Sequence, residues 1–187
     1  LDRRRAGLLL HLTSLPGVGP CGTLGPEALH FTGFLADCGM SVWQMLPVGP
    51  TQEGGSPYQT SSVHAGSPRL IALEPLVERG WLEELPDLSG RDPETAKSAA
   101  LRRAWAGFRR RAEPSHREAL AGFGDENAYW LRDYVLFRGL HEEHKSCWWA
   151  WPEPLRHRDP AALAGARERL AEAIDYIVFE QFLFFTQ

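Results

Sequence analysis

A run of four residues at 141–144, His-Glu-Glu-His, has the residue types of a zinc site. In zinc proteases the second histidine follows the first by four residues, so that both imidazoles lie on one face of a helix. Here Lys145 occupies that fourth place, and the second histidine comes one residue too early. Cys147 lies nearby, but no further ligand completes a set. We therefore predict no metal site and interpret 141–144 as the polar, cationic end of a helix.

Composition and missing motifs argue against several other classes of function. No GxxxxGK[ST] or GxSxG pattern occurs, so neither a phosphate-binding loop nor a serine-hydrolase elbow is expected. The formal net charge of −4, from 20 basic and 24 acidic residues, predicts neither a nucleic-acid nor a membrane partner. Three cysteines without CxxC spacing indicate free thiols, and we expect a cytoplasmic protein.

Two loops remain as candidate sites, and each follows a segment that we predict as a strand. The first strand covers 7–12, a short apolar run that ends before the turn at Pro16-Gly17. The second covers 41–48 and is followed by the Gly/Pro-rich loop 49–57. The segment between them carries apolar residues at helical spacing, namely Ala28, Phe31, Leu35 and Cys38. Strand, helix and strand in this order predict a βαβ unit of parallel strands with a right-handed crossover.

The second loop is the better candidate for binding, because ligands of parallel α/β proteins bind at the carboxyl ends of strands. Pro57 stiffens the turn, and Tyr58 offers a flat ring to a sugar face and a hydroxyl for hydrogen bonding. An equally good interpretation is structural, with Tyr58 covering the end of the sheet and Ser56 capping a turn.

From residue 75 onward the pattern is helical. We predict helical segments over 75–85, 93–111 and 128–141, which together form an α-rich insertion. Three tryptophans before Pro152 are predicted to form an aromatic cluster that pins this insertion: Trp148, Trp149 and Trp151.

The last segment is predicted to be one long helix. Asp159 can cap it, Pro160 suits its first position, and an apolar stripe runs from Leu163 to Ile177. The aromatic stretch 179–185 would expose much apolar surface, so we expect it to need a partner surface and the chain to be truncated.

At several separate places the sequence resembles the amylomaltase family of disproportionating 4-α-glucanotransferases. The resemblance lies in 8–17 (LLLHLTSLPG), 22–26 (GTLGP), 43–51 (WQMLPVGPT), 56–59 (SPYQ), 65–68 (AGSP), 148–152 (WWAWP) and 181–185 (QFLFF). It extends over nearly the whole chain.

This resemblance implies an α/β fold, an incomplete (β/α)₈ TIM barrel with a helical insertion subdomain. Residues 1–73 would start the barrel, 74–158 would form the insertion, and 159–187 would be a truncated helix returning to the barrel. Because a barrel of this type needs about 250 residues, the chain is not expected to close one. The family transfers α-1,4-glucan segments by a retaining mechanism without a cofactor, and its catalytic carboxylates lie on later strands, beyond residue 187.

The resemblance also implies which residues bind substrate. Ser56 and Tyr58 match family residues that contact glucan near the cleavage site, so maltooligosaccharides or other α-1,4-glucans are the expected partners, beside the remainder of the barrel. Some members carry an aromatic residue where this chain has Glu53, which puts a secondary glucan contact in doubt. His11 either faces the pocket or is a structural histidine.

Two alternatives to the glucanotransferase interpretation stay open. One is a non-catalytic carbohydrate-binding or interaction module, which the seven tryptophans and the absent nucleophile also fit. The other is a different retaining barrel that acts on α-glucans, which fits the βαβ start but not the Ser-Pro-Tyr-Gln loop.

Overall fold

The structure is a computed structural model, and it describes residues 4–52 and 55–187. In the described residues it contains two strands, β1 (Gly7–Leu9) and β2 (Val42–Gln44), eight α-helices and three short 3₁₀ helices. The helices are α1 (Pro26–Asp37), α2 (Glu74–Glu78), α3 (Pro93–Arg111), α4 (Pro114–Glu126), α5 (Ala128–His144), α6 (Glu153–Arg156), α7 (Pro160–Arg169) and α8 (Ala171–Thr186).

The predicted βαβ unit is present, although its strands are shorter than expected. β1 and β2 pair in parallel, with Leu8 opposite Trp43. Helix α1 connects them, and Pro26 stands at its first position, where the missing N–H leaves no hydrogen bond unmade. The chain is therefore α/β in this part and helical in the rest.

Residues fall into two compact units. The first consists of Leu1–Glu113 and Leu183–Gln187, and the second is Pro114–Phe182. These limits differ from the boundaries after residues 73 and 158 that the family resemblance implies. Those boundaries separate a barrel from its insertion, and they stay a prediction.

The core of the first unit lies around the start of the chain. Buried apolar side chains at its centre are Leu12, Leu15, Ala28 and Leu70. Trp43 packs edge-on against Phe31 of α1, with ring centroids 4.9 Å apart. Its indole Nε1–H donates to the Leu10 carbonyl at 2.7 Å, which satisfies the polar end of a mostly apolar side chain.

The last residues of the chain close against the segment 66–72. The Gln187 side chain accepts a hydrogen bond from the Ala72 N–H at 2.8 Å and donates one to the Ala72 carbonyl at 2.9 Å. Three residues earlier, the Phe184 ring lies against Gly66 so closely that a Cβ at Gly66 would be 2.1 Å from a ring carbon. The first unit therefore brings together the segment 66–72 and residues 184–187, which lie more than 100 positions apart in the sequence.

Helix α3 begins and ends where the sequence predicts, at residues 93 and 111. The Asp92 carboxylate accepts a hydrogen bond from the Thr95 N–H at 3.1 Å and so caps the helix. The predicted helical segment 75–85 is wrong in length, because α2 ends at Glu78 and the chain turns at Gly80.

The second unit is held by an apolar core and by ion pairs at its surface. Leu136, Leu140, Trp151 and Ala166 form the buried centre. Arg169 at the end of α7 donates two hydrogen bonds, of 2.8 and 2.9 Å, to the Glu143 carboxylate near the end of α5. This bidentate geometry fixes both position and orientation of the two helix ends.

Three sequence predictions for the later part of the chain are corrected: the single last helix, the exposed aromatic stretch and the tryptophan cluster. The last helix is two helices, since α7 ends at Arg169 and α8 begins at Ala171, although Asp159 caps α7 as predicted through the Ala162 N–H at 2.8 Å. The aromatic stretch 179–185 does not need an external partner for most of its length, because Phe179, Phe182 and Leu183 are buried.

The tryptophan cluster is also different from the prediction. Only Trp151 is buried, where its ring packs against Phe137 and its Nε1–H donates to the Ser146 carbonyl at 3.1 Å. Trp148 and Trp149 are more than half exposed and pack edge-on against each other. The three rings therefore do not form one buried cluster in this chain.

None of the helices in the described parts of the chain combines the length and apolar character that crossing a bilayer requires.

The closure at Gly66 yields a stability prediction. Gly66→Ala places a methyl group inside the Phe184 ring, so the ring must move, and we expect the free energy of unfolding to fall by about 1–3 kcal/mol. Gly33→Ala in α1 is the control, because no atom lies within 4 Å of the added Cβ and alanine favours a helix by about 0.5–1 kcal/mol. Urea denaturation of the three proteins measures both effects, and an equally stable Gly66→Ala variant would contradict the packing.

Candidate functional site

Two loops leave the same edge of the parallel pair. After β1 the chain passes His11 and forms a 3₁₀ turn, Leu12–Ser14. After β2 it continues into the loop that returns at Thr60. Because the strands are parallel, both loops start at the carboxyl edge, where parallel α/β proteins bind ligands.

The second loop is tied at its base. Thr51 and Thr60 form an antiparallel bridge, the Gln52 N–H donates to the Gln59 carbonyl at 3.0 Å, and the Ser61 N–H donates to the Pro50 carbonyl at 3.1 Å. These bonds hold the loop's two arms together, so its tip is presented on a fixed base.

Ser56 and Tyr58 share one tight turn at the tip of this loop. The Gln59 N–H donates to the Ser56 carbonyl at 3.0 Å, and Pro57 occupies the second position, where its fixed φ suits the turn. Tyr58 is 73% exposed, whereas Ser56 is half-buried. Neither hydroxyl hydrogen-bonds to a residue that the structure describes. Glu53, the departure from the family pattern, lies outside the described residues.

His11 lies on the neighbouring loop, directly after β1. Its Nδ1 is buried and has no hydrogen-bond partner among the described residues. Burial lowers the pKa of this imidazole from 6.5, because a charged ring loses hydration. His11 therefore places a buried imidazole nitrogen at the carboxyl edge of the sheet, where burial favours the neutral form of the ring.

Lys97 of α3 is a perturbed group of which the sequence gives no sign. Its ammonium donates to the Arg69 carbonyl, and burial lowers the pKa of Lys97 to about 8, a shift that nearby Cys21 and Glu74 partly offset. The burial comes from the fold of the first unit, so no local pattern could have revealed it.

The chain contains one glycine pattern that the sequence predictions do not consider. Residues 17–22 read Gly-x-Gly-x-x-Gly, the spacing of dinucleotide-binding loops. In those loops the glycines lead directly from a strand into a helix. Here a 3₁₀ turn separates β1 from the run, α1 begins only at Pro26, and the Gly22 N–H donates to the Thr13 carbonyl at 3.2 Å. The run is a folded connection and not a nucleotide cradle.

The helix end at 141–144 has structural partners. Glu143 is engaged by Arg169, and the His144 ring packs against Trp151, with centroids 5.8 Å apart. Within residues 4–52 and 55–187, no three His, Cys, Asp or Glu side chains are grouped closely enough to hold a metal ion.

The parallel βαβ unit, with a polar loop at its carboxyl edge, places the chain among the α/β proteins. Comparison with known proteins identifies the family. The family model described as 4-alpha-glucanotransferase matches residues 10–187. A 4-alpha-glucanotransferase of Thermus thermophilus is 47% identical over 98% of this chain and 38% of its own length. One of Aquifex aeolicus is 39% identical, over 98% of this chain and 39% of its own length.

A solved structure agrees with these sequences. The amylomaltase from Streptococcus agalactiae in complex with acarbose is similar with a TM-score of 0.88 and 31% identity, over 98% of this chain and 39% of that protein. This chain belongs to the 4-alpha-glucanotransferase family, and it spans about two-fifths of the length of these relatives.

The buried imidazole of His11 predicts a pH dependence of stability. Its pKa is lowered on folding, so below pH 6.5 the unfolded chain binds a proton that the folded chain resists, and stability falls as the pH decreases through this value. We expect His11→Gln to lose this part of the acid destabilisation in melting temperatures measured between pH 7.5 and 5. His30→Gln, at an exposed histidine of α1, should keep it. Identical pH profiles for wild type and His11→Gln would contradict the assignment.

Proposed function

We propose that the protein containing this chain transfers α-1,4-glucan segments between maltooligosaccharides. The observation that carries the proposal is the family match over residues 10–187, together with the Ser-Pro-Tyr turn at the carboxyl edge of the sheet. The relative bound to acarbose, named an amylomaltase, supports an α-glucan as the substrate class.

The reaction is a double displacement with retention of configuration. One carboxylate attacks the anomeric carbon, while a carboxylic acid protonates the leaving oxygen and later takes the proton of the acceptor hydroxyl. We assign no catalytic residue within 1–187, and the proposed carboxylates belong to the part of the relatives' length that this chain does not span. The reaction needs no cofactor.

Ser56 and Tyr58 are the proposed substrate contacts of this chain. A tyrosine ring provides a flat apolar surface for a sugar face, and its hydroxyl can exchange hydrogen bonds with sugar hydroxyls. The exposure of Tyr58 and the tied base of its loop support this role, since the ring is available and the loop that carries it is held together at its base.

The fold of the whole protein is proposed to be a (β/α)₈ barrel begun by this βαβ unit. The described sheet has two strands, and Leu9 and Val42 leave 59% and 38% of their surface exposed. On the helix, Leu29 and Phe34 are also largely exposed. Such apolar surface beside a parallel pair is suited to packing against further strands and helices of the same barrel, the partner that we propose for it.

We also propose a cytoplasmic location. All three cysteines, Cys21, Cys38 and Cys147, are free thiols, as a reducing compartment favours. The names of relatives from Arabidopsis thaliana and Solanum tuberosum place those proteins in plastids.

A product analysis separates the transferase from a carbohydrate-binding module. Full-length protein incubated with maltotriose is expected to release glucose together with longer oligosaccharides, which chromatography resolves. A module that binds without catalysis leaves maltotriose unchanged, and a hydrolase yields glucose and maltose without elongation.

Tyr58→Ala tests the proposed contact in the full-length protein. Removing the ring should lower kcat/KM for maltotriose by about tenfold, the equivalent of about 1.4 kcal/mol of lost transition-state binding. The melting temperature should hardly change, because Tyr58 is 73% exposed. Tyr129→Ala is the matched control, an exposed tyrosine on α5 that should leave kcat/KM unaltered. Unchanged kinetics with a lowered melting temperature would support the structural interpretation of Tyr58 instead.

A further inference from the structure

A groove of about 160 Å³ lies in the first unit between α3 and the segment that follows α2. One wall carries Leu82, Glu83 and Glu84, and the other carries Arg103, Arg110 and Arg111. None of these residues belongs to the loop of Ser56 and Tyr58. The volume suits a ligand of about monosaccharide size, because pockets for larger ligands begin at roughly 300 Å³.

The groove is built on fixed backbone. Gly107 of α3 touches the other wall so closely that a Cβ would lie 1.8 Å from the Trp81 carbonyl oxygen. Arg111 donates from Nε to the Gly80 carbonyl at 2.6 Å and from Nη2 to the Trp81 carbonyl at 3.2 Å. The Trp81 side chain is 1% exposed and packs edge-on against Phe108. Both walls are thus held at a set distance without any ligand.

Two arginines of this groove have nothing in the described chain to bind. Arg103 and Arg110 are exposed, and neither makes a hydrogen bond or ion pair with a described residue. They are seven residues apart, about two turns of α3, so they project from the same face. Arg111, by contrast, is committed to backbone carbonyls, and Arg109 lies over the Trp105 ring.

The charges of the groove differ from those of the whole chain. Its three arginines outnumber its two glutamates, whereas the chain carries a net charge of −4. Glu83 lies 4.0 Å from Arg111, whereas no described carboxylate lies within ion-pair distance of Arg103 or Arg110. Guanidinium groups bind phosphate oxygens in a bidentate manner, and ionised carboxylates only accept hydrogen bonds, such as those of sugar hydroxyls.

We propose that this groove binds a sugar phosphate, with the phosphate held by Arg103 and Arg110 and the sugar hydroxyls donating to Glu83 and Glu84. Inorganic phosphate alone would bind only the two arginines, and a neutral sugar would bind only the two glutamates. The ligand class is therefore a monosaccharide phosphomonoester, and its binding does not depend on the proposed glucanotransferase activity.

Isothermal titration of the full-length protein with glucose 1-phosphate, inorganic phosphate and glucose tests the proposal at a fixed ionic strength. Glucose 1-phosphate should bind more tightly than either fragment. The double variant Arg103→Gln/Arg110→Gln should weaken it by about tenfold or more, because two charge-assisted contacts are lost. Arg91→Gln/Arg102→Gln removes the same charge from exposed positions outside the groove and should retain the wild-type Kd.

Two more variants separate the sugar half of the groove from its phosphate half and from the loop of Tyr58. Glu84→Gln should weaken glucose 1-phosphate while leaving inorganic phosphate unaffected, and Tyr58→Ala should retain full binding of glucose 1-phosphate. Equal Kd values for phosphate and glucose 1-phosphate would overturn the sugar half of the proposal. Absence of saturable binding, or binding unchanged in the folded double variant, would overturn the whole of it, and circular dichroism verifies that each variant is folded.

Discussion

The pairing of Gln187 with Ala72 is the constraint on which the arrangement of the first unit depends. A single side-chain amide satisfies both polar groups of one backbone residue 115 positions away. Buried backbone groups left without partners are costly, and this exchange satisfies both groups of a buried residue that lies in neither a strand nor a helix. Phe184, one helical turn earlier, extends the closure into the core around Leu12. Two segments of the first unit that lie more than 100 positions apart in the sequence are thereby joined.

Local signals in the sequence predicted the elements whose ends have strong chemical markers. Helix α3 begins after the capping Asp92 with Pro93, and the βαβ unit is bounded by proline and glycine. The break between α7 and α8 has no such marker, because Leu170 is a good helix former and the apolar stripe continues through it. The closure by Gln187 joins residues too far apart for any periodicity to show, and the exposure of Trp148 and Trp149 depends equally on tertiary packing.

The candidate site was predictable to a similar degree. Parallel strands imply a ligand-binding edge, and the chemistry of Pro57 and Tyr58 points to one loop on it. The hydrogen bonds that tie the base of this loop, the buried nitrogen of His11 and the lowered pKa of Lys97 all arise from neighbours brought together by folding. Likewise, the sequence shows at 109–111 only a run of three arginines, whereas in the structure Arg111 donates to the Gly80 and Trp81 carbonyls at one wall of a groove. The residue types showed which chemistry the side chains could perform. Only the fold showed which side chains have hydrogen-bond or ion-pair partners and which do not.

The open edges of the two-stranded sheet have a consequence for synthesis on the ribosome. In a protein of the relatives' length, about three-fifths of the residues lie outside this portion, and at about 5–20 residues per second their synthesis takes on the order of tens of seconds. While this portion stands alone, the edges of the described sheet and the exposed side chains of Leu9 and Phe34 face a crowded solution, where such surfaces promote aggregation. A nascent chain in that state presents the exposed apolar surface that chaperones bind.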